Sequence, residues 1–226
     1  MSRTFKEDLE KSWTANAAGW THAVREGRIE SRRVATDSAI IEAVQACTPR
    51  RAIDVGCGEG WLVRALGKHG IEVVGVDASA PLIEAARAEG NGVFYLHSYA
   101  ELAATPALPG TGFDAVVFNF ALLDEEIGPI LQAVKHVLSP NGTLFIQTVH
   151  PWTAQGEAPY RDAWRTETFN GFGAGFPEPM PWFYRTLSSW VSLLSRSGYR
   201  INNLQEPLHP DTGKPLSLLF VCTPEI

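Results

Sequence analysis

The segment from Ile53 to Gly60, which reads IDVGCGEG, has the residue types and spacing of a ligand-binding turn. Its glycines permit a tight turn and let backbone N–H groups approach a ligand without obstruction by a Cβ atom. The apolar residues before the glycines predict a buried strand, and those from Trp61 to Lys68 predict a helix. A strand, a glycine turn and a helix in this order are typical of a nucleoside-binding site.

An acidic residue and the spacing of the glycines narrow the type of site. Asp77 follows the next predicted strand, where a nucleoside-binding α/β domain needs an acid. Dinucleotide-binding domains use the pattern GxGxxG, whose third glycine would fall at position 61, but this chain has Trp61 there and Gly60 one place earlier. The spacing therefore disfavours a cradle for a pyrophosphate group.

The elements that hold these residues follow from the hydrophobic periodicity. Five alternations of strand and helix are predicted between residues 50 and 150, which favours a parallel sheet with helices on both faces. The last two strands follow one another without a helix between them, so we expect them to pair antiparallel. The predicted strands cover residues 52–55, 71–76, 93–96, 113–120, 143–149, 199–204 and 217–222.

Two segments outside this core have other patterns. Phe5, Leu9 and Trp13 recur every four residues and predict one amphipathic helix that continues to Trp20. Residues 150–186 break every periodicity and hold nine of the 23 aromatic residues. We expect this insert to form either a lid over a bound ligand, which we favour, or a homodimer surface. The chain is expected to be one domain over residues 1–226, made of an N-terminal helical cap (about 1–48), a core (about 50–150), the insert (about 150–186) and a C-terminal helix with a strand hairpin (about 187–226).

Composition and charge limit the partners and the compartment. The net charge of −6 and the pI near 5.5 disfavour a phosphate backbone as partner, so no nucleic acid is expected. Three widely spaced cysteines and six histidines without ligand spacing predict neither a disulfide framework nor a metal site. No stretch approaches about 18 consecutive apolar residues, and the start of the chain is polar, so we expect no membrane contact and a cytoplasmic protein.

With glycines at positions 56, 58 and 60, the turn resembles the glycine-rich first motif of class I S-adenosylmethionine-dependent methyltransferases. The likeness extends over about residues 50–150, with a tail to residue 222. It implies a Rossmann-like three-layer α/β/α sandwich whose mostly parallel seven-stranded sheet ends in an antiparallel C-terminal strand. It also implies an enzyme that transfers the methyl group of S-adenosylmethionine to a small-molecule acceptor and releases S-adenosylhomocysteine.

The resemblance assigns cofactor-binding roles to individual residues. The three glycines and Asp54 would surround the methionine portion of the cofactor, and Asp77 would accept hydrogen bonds from both ribose hydroxyls. Many relatives have an acid after the third strand, whereas this chain has Ser98, which would accept from the adenine amino group beside the backbone N–H of Tyr99. The whole expected set is Asp54, Gly56, Cys57, Gly58, Gly60, Asp77, Ala78, Ser98, Tyr99, Asn119 and Phe120.

Methyl transfer is an in-line displacement, so alignment and exclusion of water can supply most of the catalysis. An acceptor hydroxyl or amine of high pKa would also need a base within hydrogen-bond reach. His150, directly after the fifth strand, is the candidate catalytic residue. Arg32 and Arg33 could pair with the cofactor's carboxylate, but we expect both of them in solvent.

Three other interpretations remain open. A NAD(P)-dependent oxidoreductase shares the fold logic and the ribose-binding acid, although Trp61 and the final strand pair argue against it. A non-catalytic cofactor-binding protein would keep the glycine turn with a filled pocket. A related enzyme could also use the same cofactor for a transfer other than methylation.

Overall fold

The computed structural model describes residues 4–105 and 109–225. Within these residues a π-helical turn covers Arg32–Thr36. The helices are α1 Phe5–Ala15, α2 Ala17–Arg25, α3 Asp37–Ala46, α4 Trp61–Gly67, α5 Ala80–Glu89, α6 Tyr99–Ala104, α7 Gly128–Lys135, α8 Pro151–Gln155 and α9 Leu187–Arg196. The strands are β1 Arg51–Val55, β2 Glu72–Asp77, β3 Val93–Leu96, β4 Phe113–Asn119, β5 Leu138–Val149, β6 Ala163–Glu167, β7 Met180–Tyr184, β8 Tyr199–Gln205 and β9 Ser217–Pro224.

A seven-stranded sheet in the order β3-β2-β1-β4-β5-β9-β8 forms the middle layer. Strands β1 to β5 pair in parallel, and β9 is antiparallel to both of its neighbours. The predicted fold class, a mostly parallel three-layer sandwich with an antiparallel C-terminal strand, is therefore confirmed. The apolar run of β4 is central, and its residues 115–118 are completely buried because helices cover both faces of the sheet.

The two faces of the sheet carry separate apolar cores. On one face Leu131 of α7 and Leu194 of α9 pack against the strands. On the other face Ile40 of α3 and Leu62 of α4 pack against them. The chain turns to one side after β1 and to the other side after β4, so a crevice opens at the carboxyl ends of these adjacent strands. The glycine turn lies at this crevice.

The first amphipathic segment differs from its prediction, because it forms two helices that meet at Asn16. The Asn16 side chain is buried, and its Nδ2 donates to the carbonyl of Glu178 at 2.6 Å. Its Oδ1 accepts from the Glu178 N–H at 3.2 Å. This side chain therefore pairs with the backbone of the insert. Helical periodicity reports only on neighbouring residues, so it could not predict this long-range contact.

The insert contains regular elements that its lack of periodicity did not predict. It contains α8 and the antiparallel hairpin of β6 and β7, in which Ala163 pairs with Tyr184 and Glu167 pairs with Met180. Its aromatic residues pack against the N-terminal helices, as in the stack of Phe5 on Trp164 with ring centroids 4.7 Å apart. Leu9 of α1 is buried in one apolar cluster with Phe169 and Met180 of the insert, so the two segments bury apolar side chains against each other.

Local contacts set the bounds of two elements. The N-cap of α9 is Thr186, whose hydroxyl accepts from the N–H of Ser189. Strand β5 begins at Leu138 and not at the predicted residue 143, because Leu138 pairs with Phe113 across a bulge. Within the described residues, no helix is long and apolar enough to cross a membrane.

Candidate functional site

The backbone of the glycine turn is left-handed at all three glycines. The φ angles of Gly56, Gly58 and Gly60 are 84°, 56° and 82°. A Cβ atom on Gly56 would lie 2.4 Å from the Cβ of Ala121, and one on Gly60 would lie 2.5 Å from the ring of Phe94. At Gly58 the nearest atom is an indole nitrogen at 3.8 Å. Close packing therefore leaves no room for a side chain at Gly56 and Gly60, whereas Gly58 leaves space for a ligand.

Asp77 is joined directly to this turn. Its Oδ2 accepts from the N–H of Gly58 and its Oδ1 accepts from the N–H of Ser79, both at 2.8 Å. Burial raises the pKa of Asp77, and these backbone hydrogen bonds oppose that rise. Each carboxylate oxygen keeps a second lone pair for a ligand hydroxyl.

Asp54, at the end of β1, is a second buried carboxylate beside the turn. Its side chain is almost fully buried, and its Oδ1 has no hydrogen-bond partner among the described residues. Burial and the charge of Asp77 raise the pKa of Asp54 to about 8, while the Arg32 guanidinium acts in the opposite direction. A cationic group bound here would favour the ionised carboxylate.

Arg32 does not lie in solvent, which corrects the expectation, whereas Arg33 is exposed as expected. The Arg32 side chain is buried, its Nε donates to Oδ1 of Asp37 at 2.9 Å, and its guanidinium lies 4.3 Å from the centroid of the Trp61 ring. Arg32 begins the π-helical turn, a feature that is often found at functional sites. Its position brings a cation close to Asp54 and to the start of α4.

Cys57 and Ala78 offer only backbone groups to a ligand. The Cys57 side chain is buried, and its Sγ would lie 2.8 Å from a Cβ on Gly75 of β2. It therefore packs into the core. Ala78 is exposed directly after Asp77.

Ser98 and Tyr99 begin α6. The Ser98 hydroxyl accepts from the N–H of Glu101 at 3.2 Å, and the Ser98 N–H donates to Oε2 of Glu101 at 2.7 Å, which forms a capping box. The Tyr99 hydroxyl donates to the carbonyl of Ala121 at 3.0 Å. Ser98 therefore already caps α6, and a contact with adenine would be a second role of the same side chain.

The end of β4 has a backbone conformation that is rare for a residue with a side chain. Phe120 has a φ of 53°, and its N–H donates to the carbonyl of Gln147 at 2.7 Å. Asn119 Oδ1 accepts from Nε2 of Gln147 at 2.8 Å, and the same Nε2 donates to the carbonyl of Thr36. Gln147 was not among the predicted residues, although it holds both candidate residues in place.

Glu59 is a further residue that the sequence analysis missed. Its side chain is fully buried, and its Oε2 accepts from Nε of Arg25 at 2.8 Å and from Nη2 of Arg64 at 2.5 Å. Arg25 also donates to the carbonyl of Ala85 at 2.9 Å and pairs with Glu89 at 3.1 Å. These contacts hold α2 against the glycine turn, and no spacing rule would have identified them.

The N-terminal helices and the insert meet above the glycine turn. Trp20 of α2 supplies the indole nitrogen beside Gly58. Its ring contacts Trp13 edge to face, with centroids 5.3 Å apart, and stacks on Phe172 of the insert at 5.8 Å. A Cβ on Gly19 would lie 2.3 Å from the carbonyl oxygen of Gly175, so the two backbones are in direct contact.

This contact gives a first testable prediction. Glycine to alanine inside a helix usually stabilises by about 0.5–1 kcal/mol, but Gly19→Ala is expected to lower the unfolding free energy by about 1–3 kcal/mol through overpacking. The control is Gly67→Ala in α4, where a Cβ would meet nothing within 4 Å. Thermal unfolding and limited proteolysis of the insert would measure both effects. Equal stability of the two variants would contradict the close packing of Gly19 on Gly175.

His150 lies at the end of β5, one strand beyond β4. Its ring is buried, and Nε2 lies 2.8 Å from Oε1 of Glu206. Its Nδ1 is buried without a hydrogen-bond partner among the described residues. Within residues 4–105 and 109–225, no group of three or more histidine, cysteine or acidic side chains could hold a metal ion.

Comparisons with known proteins bear on the site as a whole. Residues 53–146 match the family model described as a methyltransferase domain. A ubiquinone biosynthesis O-methyltransferase of Xylella fastidiosa is 28% identical over 168 residues, which are 66% of this chain and 62% of that protein. The chain therefore spans less than two thirds of the length of this curated relative.

Solved structures agree with the family match. An S-adenosylmethionine-dependent methyltransferase from Mesorhizobium loti has 25% identity and a TM-score of 0.60 over 80% of this chain and 95% of that one. A 1,6-didemethyltoxoflavin-N1-methyltransferase of Burkholderia thailandensis, crystallised with 1,6-didemethyltoxoflavin and S-adenosylhomocysteine, has 16% identity and a TM-score of 0.68 over 98% and 89% of the two chains. The latter likeness shows a common fold. The matched domain model and these relatives support the resemblance of the chain to class I S-adenosylmethionine-dependent methyltransferases.

Proposed function

We propose that this chain binds S-adenosylmethionine and transfers its methyl group to a small-molecule acceptor. The observation that carries the proposal is the glycine turn, where open space over Gly58 adjoins the two carboxylates of Asp54 and Asp77. The Oδ1 of Asp54, buried and without a partner among the described residues, fits a ligand that brings its own donor. Bound there, the cofactor supplies an electrophilic methyl group.

Each part of the cofactor has a candidate partner. The ammonium group would pair with Asp54, and the carboxylate would pair with Arg32, whose charge is already close to Asp54. The two ribose hydroxyls would donate to Asp77. Ser98 and the backbone of Tyr99 would contact the adenine. This chain's own residues thereby orient the cofactor and exclude water, which is the main requirement of an in-line displacement.

The aromatic insert is proposed to act as a lid that also forms the acceptor pocket. Its support is the packing of Phe172 on Trp20, next to the glycine turn. Of the nine aromatic side chains of the insert, only Trp152 and Tyr160 are exposed and the other seven are buried or half-buried, which supports a lid rather than a homodimer surface. The relatives from Xylella fastidiosa and Burkholderia thailandensis are named for small-molecule chemistry, which favours a small organic acceptor here. We also propose that the cap, core, insert and C-terminal part form one domain.

The raised pKa of Asp54 predicts proton release on cofactor binding. With a pKa of about 8, Asp54 is mostly protonated at pH 7 in the free protein. The ammonium group of S-adenosylhomocysteine would lower that pKa, so binding at pH 7 should release up to about one proton, and binding at pH 9 almost none. Calorimetry at pH 7 in buffers of different ionisation enthalpy measures this number. An enthalpy that does not depend on the buffer would contradict the assignment, and Asp54→Asn should abolish the release.

The function is tested by calorimetric titration with S-adenosylmethionine, S-adenosylhomocysteine and NADH. Micromolar binding of the two sulfur nucleosides and no binding of NADH is the expected result. Binding of NADH alone would favour the oxidoreductase. A non-catalytic protein would bind the cofactor, but it would transfer no label from methyl-labelled S-adenosylmethionine to any acceptor in a metabolite screen.

A further inference from the structure

The end of β4, the π-helical turn and β9 are joined by one buried side chain, that of Gln147 in β5. Gln147 is only 1% exposed. Its Nε2 donates to Oδ1 of Asn119 at 2.8 Å and to the carbonyl of Thr36 at 2.9 Å. Its Oε1 accepts from the hydroxyl of Ser217 at 3.2 Å. Both amide protons and the amide oxygen of Gln147 therefore have partners, so its side chain is held in one orientation.

The carbonyl of Thr36 decides which way the neighbouring amides point. A carbonyl oxygen only accepts hydrogen bonds, so Gln147 must turn its NH2 group toward Thr36. The same NH2 group faces Asn119, which must therefore present its own oxygen to Gln147. The NH2 group of Asn119 then faces away from Gln147. It has no hydrogen-bond partner among the described residues and it is not fully buried, so it is open to a ligand.

The register of the sheet places Asn119 beside the candidate cofactor site. Asp54 of β1 and Val117 of β4 are neighbours in the parallel pairing. Because residues two apart in a strand point to the same face, the side chain of Asn119 is on the same face as that of Asp54 and one step closer to the glycine turn. The two segments are in direct contact there, since a Cβ on Gly56 would lie 2.4 Å from the Cβ of Ala121. The open NH2 group of Asn119 therefore lies at the crevice that the glycine turn borders.

Gln147 also holds the segment that carries a cation toward this crevice. Its partner Thr36 is the last residue of the π-helical turn, and Arg32 is the first. The buried guanidinium of Arg32 acts on the charge of Asp54, so it lies close to the same site. A cation and an amide donor held by one side chain suit an anionic oxygen. In S-adenosylmethionine, the carboxylate of the methionine portion is the only anionic group.

We infer that Gln147 is a positioning residue that turns the NH2 group of Asn119 toward the carboxylate of the bound cofactor. This inference rests on the proposed function, which pairs that carboxylate with Arg32. Asn119 adds a neutral donor to this ion pair, so the carboxylate recovers more of the hydrogen bonds that it makes in water. If the amide were reversed, the oxygen of Asn119 would face the carboxylate and repel it. The hydrogen bond from Gln147 therefore gives the site its selectivity for cofactors that keep the carboxylate.

The test compares S-adenosylhomocysteine with its decarboxylated analogue, which keeps the adenosine, the sulfur and the ammonium group. Asn119→Asp still offers an oxygen to Gln147, but it replaces the NH2 group with a second oxygen. Calorimetric titration is expected to find S-adenosylhomocysteine bound at least about 10-fold more weakly, because a hydrogen bond to a charged group is lost. The decarboxylated analogue should bind this variant at least as tightly as it binds the original protein.

Gln147→Met tests the positioning role itself. Methionine has a similar length but no amide, so Asn119 loses the donor that fixes its orientation. The affinity for S-adenosylhomocysteine should fall by about 10-fold, while the affinity for the decarboxylated analogue should stay the same. The matched control is Gln132→Met in α7, because Nε2 of Gln132 donates to the carbonyl of Ser197 at 3.1 Å on the opposite face of the sheet. This control should bind both ligands as the original protein does.

Circular dichroism at the titration temperature would show whether each variant is folded. Unchanged affinity of folded Asn119→Asp for S-adenosylhomocysteine would overturn the inference. An equal loss of affinity for both ligands would overturn it as well, because general damage to the site does not distinguish a carboxylate. Absence of S-adenosylhomocysteine binding to the original protein would instead refute the proposed function itself.

Discussion

Asp77→Asn is expected to weaken the binding of S-adenosylhomocysteine at least 100-fold. Both oxygens of Asp77 already accept from backbone N–H groups, those of Gly58 and Ser79. An asparagine has one acceptor oxygen, so its NH2 group must face one of these donors, and the geometry of the turn is lost. The ribose also loses charge-assisted hydrogen bonds worth about 1.5–3 kcal/mol each, and about 1.4 kcal/mol corresponds to a tenfold change in affinity.

The control for this prediction is Glu72→Gln at the exposed start of the same strand. The Glu72 carboxylate is 67% exposed and pairs only loosely with Arg51, at 3.4 Å. Calorimetric titration should find its affinity for S-adenosylhomocysteine unchanged within about twofold, in keeping with the small effect of surface ion pairs. Circular dichroism at the titration temperature would confirm that both variants are folded. Wild-type affinity in a folded Asp77→Asn protein would refute the ribose assignment.

Glu59→Gln is expected to lower the free energy of unfolding by about 3 kcal/mol or more. The substitution removes the negative charge that Arg25 and Arg64 share, while the side chain at position 59 stays fully buried. Arg64 is only 14% exposed, so its charge is left without an acid in a poorly solvated place. Urea denaturation followed by tryptophan fluorescence measures the loss, because α2 carries Trp20.

The matched control is Glu89→Gln, which removes the other acid that pairs with Arg25. The Glu89 side chain is 49% exposed, so its removal should cost less than about 1 kcal/mol. A similar loss in both variants would mean that the burial of Glu59 adds nothing to the attachment of α2.

Much of the sheet could be predicted from the sequence because its strands are short apolar runs between clear turn residues. In β4, for example, Phe113 to Asn119 is buried on both faces, and a continuous apolar run is the expected pattern for such a strand. The contact of Gly58 with Asp77 agrees with the motif, since the ends of adjacent parallel strands must meet. Hydrophobic periodicity and motif spacing therefore predict strands and the contacts between the ends of adjacent strands.

The rest of the site depends on contacts between residues far apart in the sequence. Gln147 donates to the carbonyl of Thr36 across 111 positions, and Arg25 reaches Glu59 across 34. Arg32 was expected in solvent because no residue near it in the sequence indicates its contact with the Trp61 ring. The two strands of the insert were not predicted for a similar reason, since the pairing of Ala163 with Tyr184 spans a long connection.

The two hydrogen bonds between Asn16 and Glu178 have a consequence for how the protein is made. These residues are 162 positions apart, so Asn16 leaves the ribosome long before its partner exists. Strand β5 must likewise wait for β9, and until then its edge offers unpaired backbone groups to other chains. The entropic cost of closing so long a loop grows only slowly with its length, but the delay lengthens the time of exposure. The helices that are synthesised early are thus among the last parts of the molecule to reach their final neighbours.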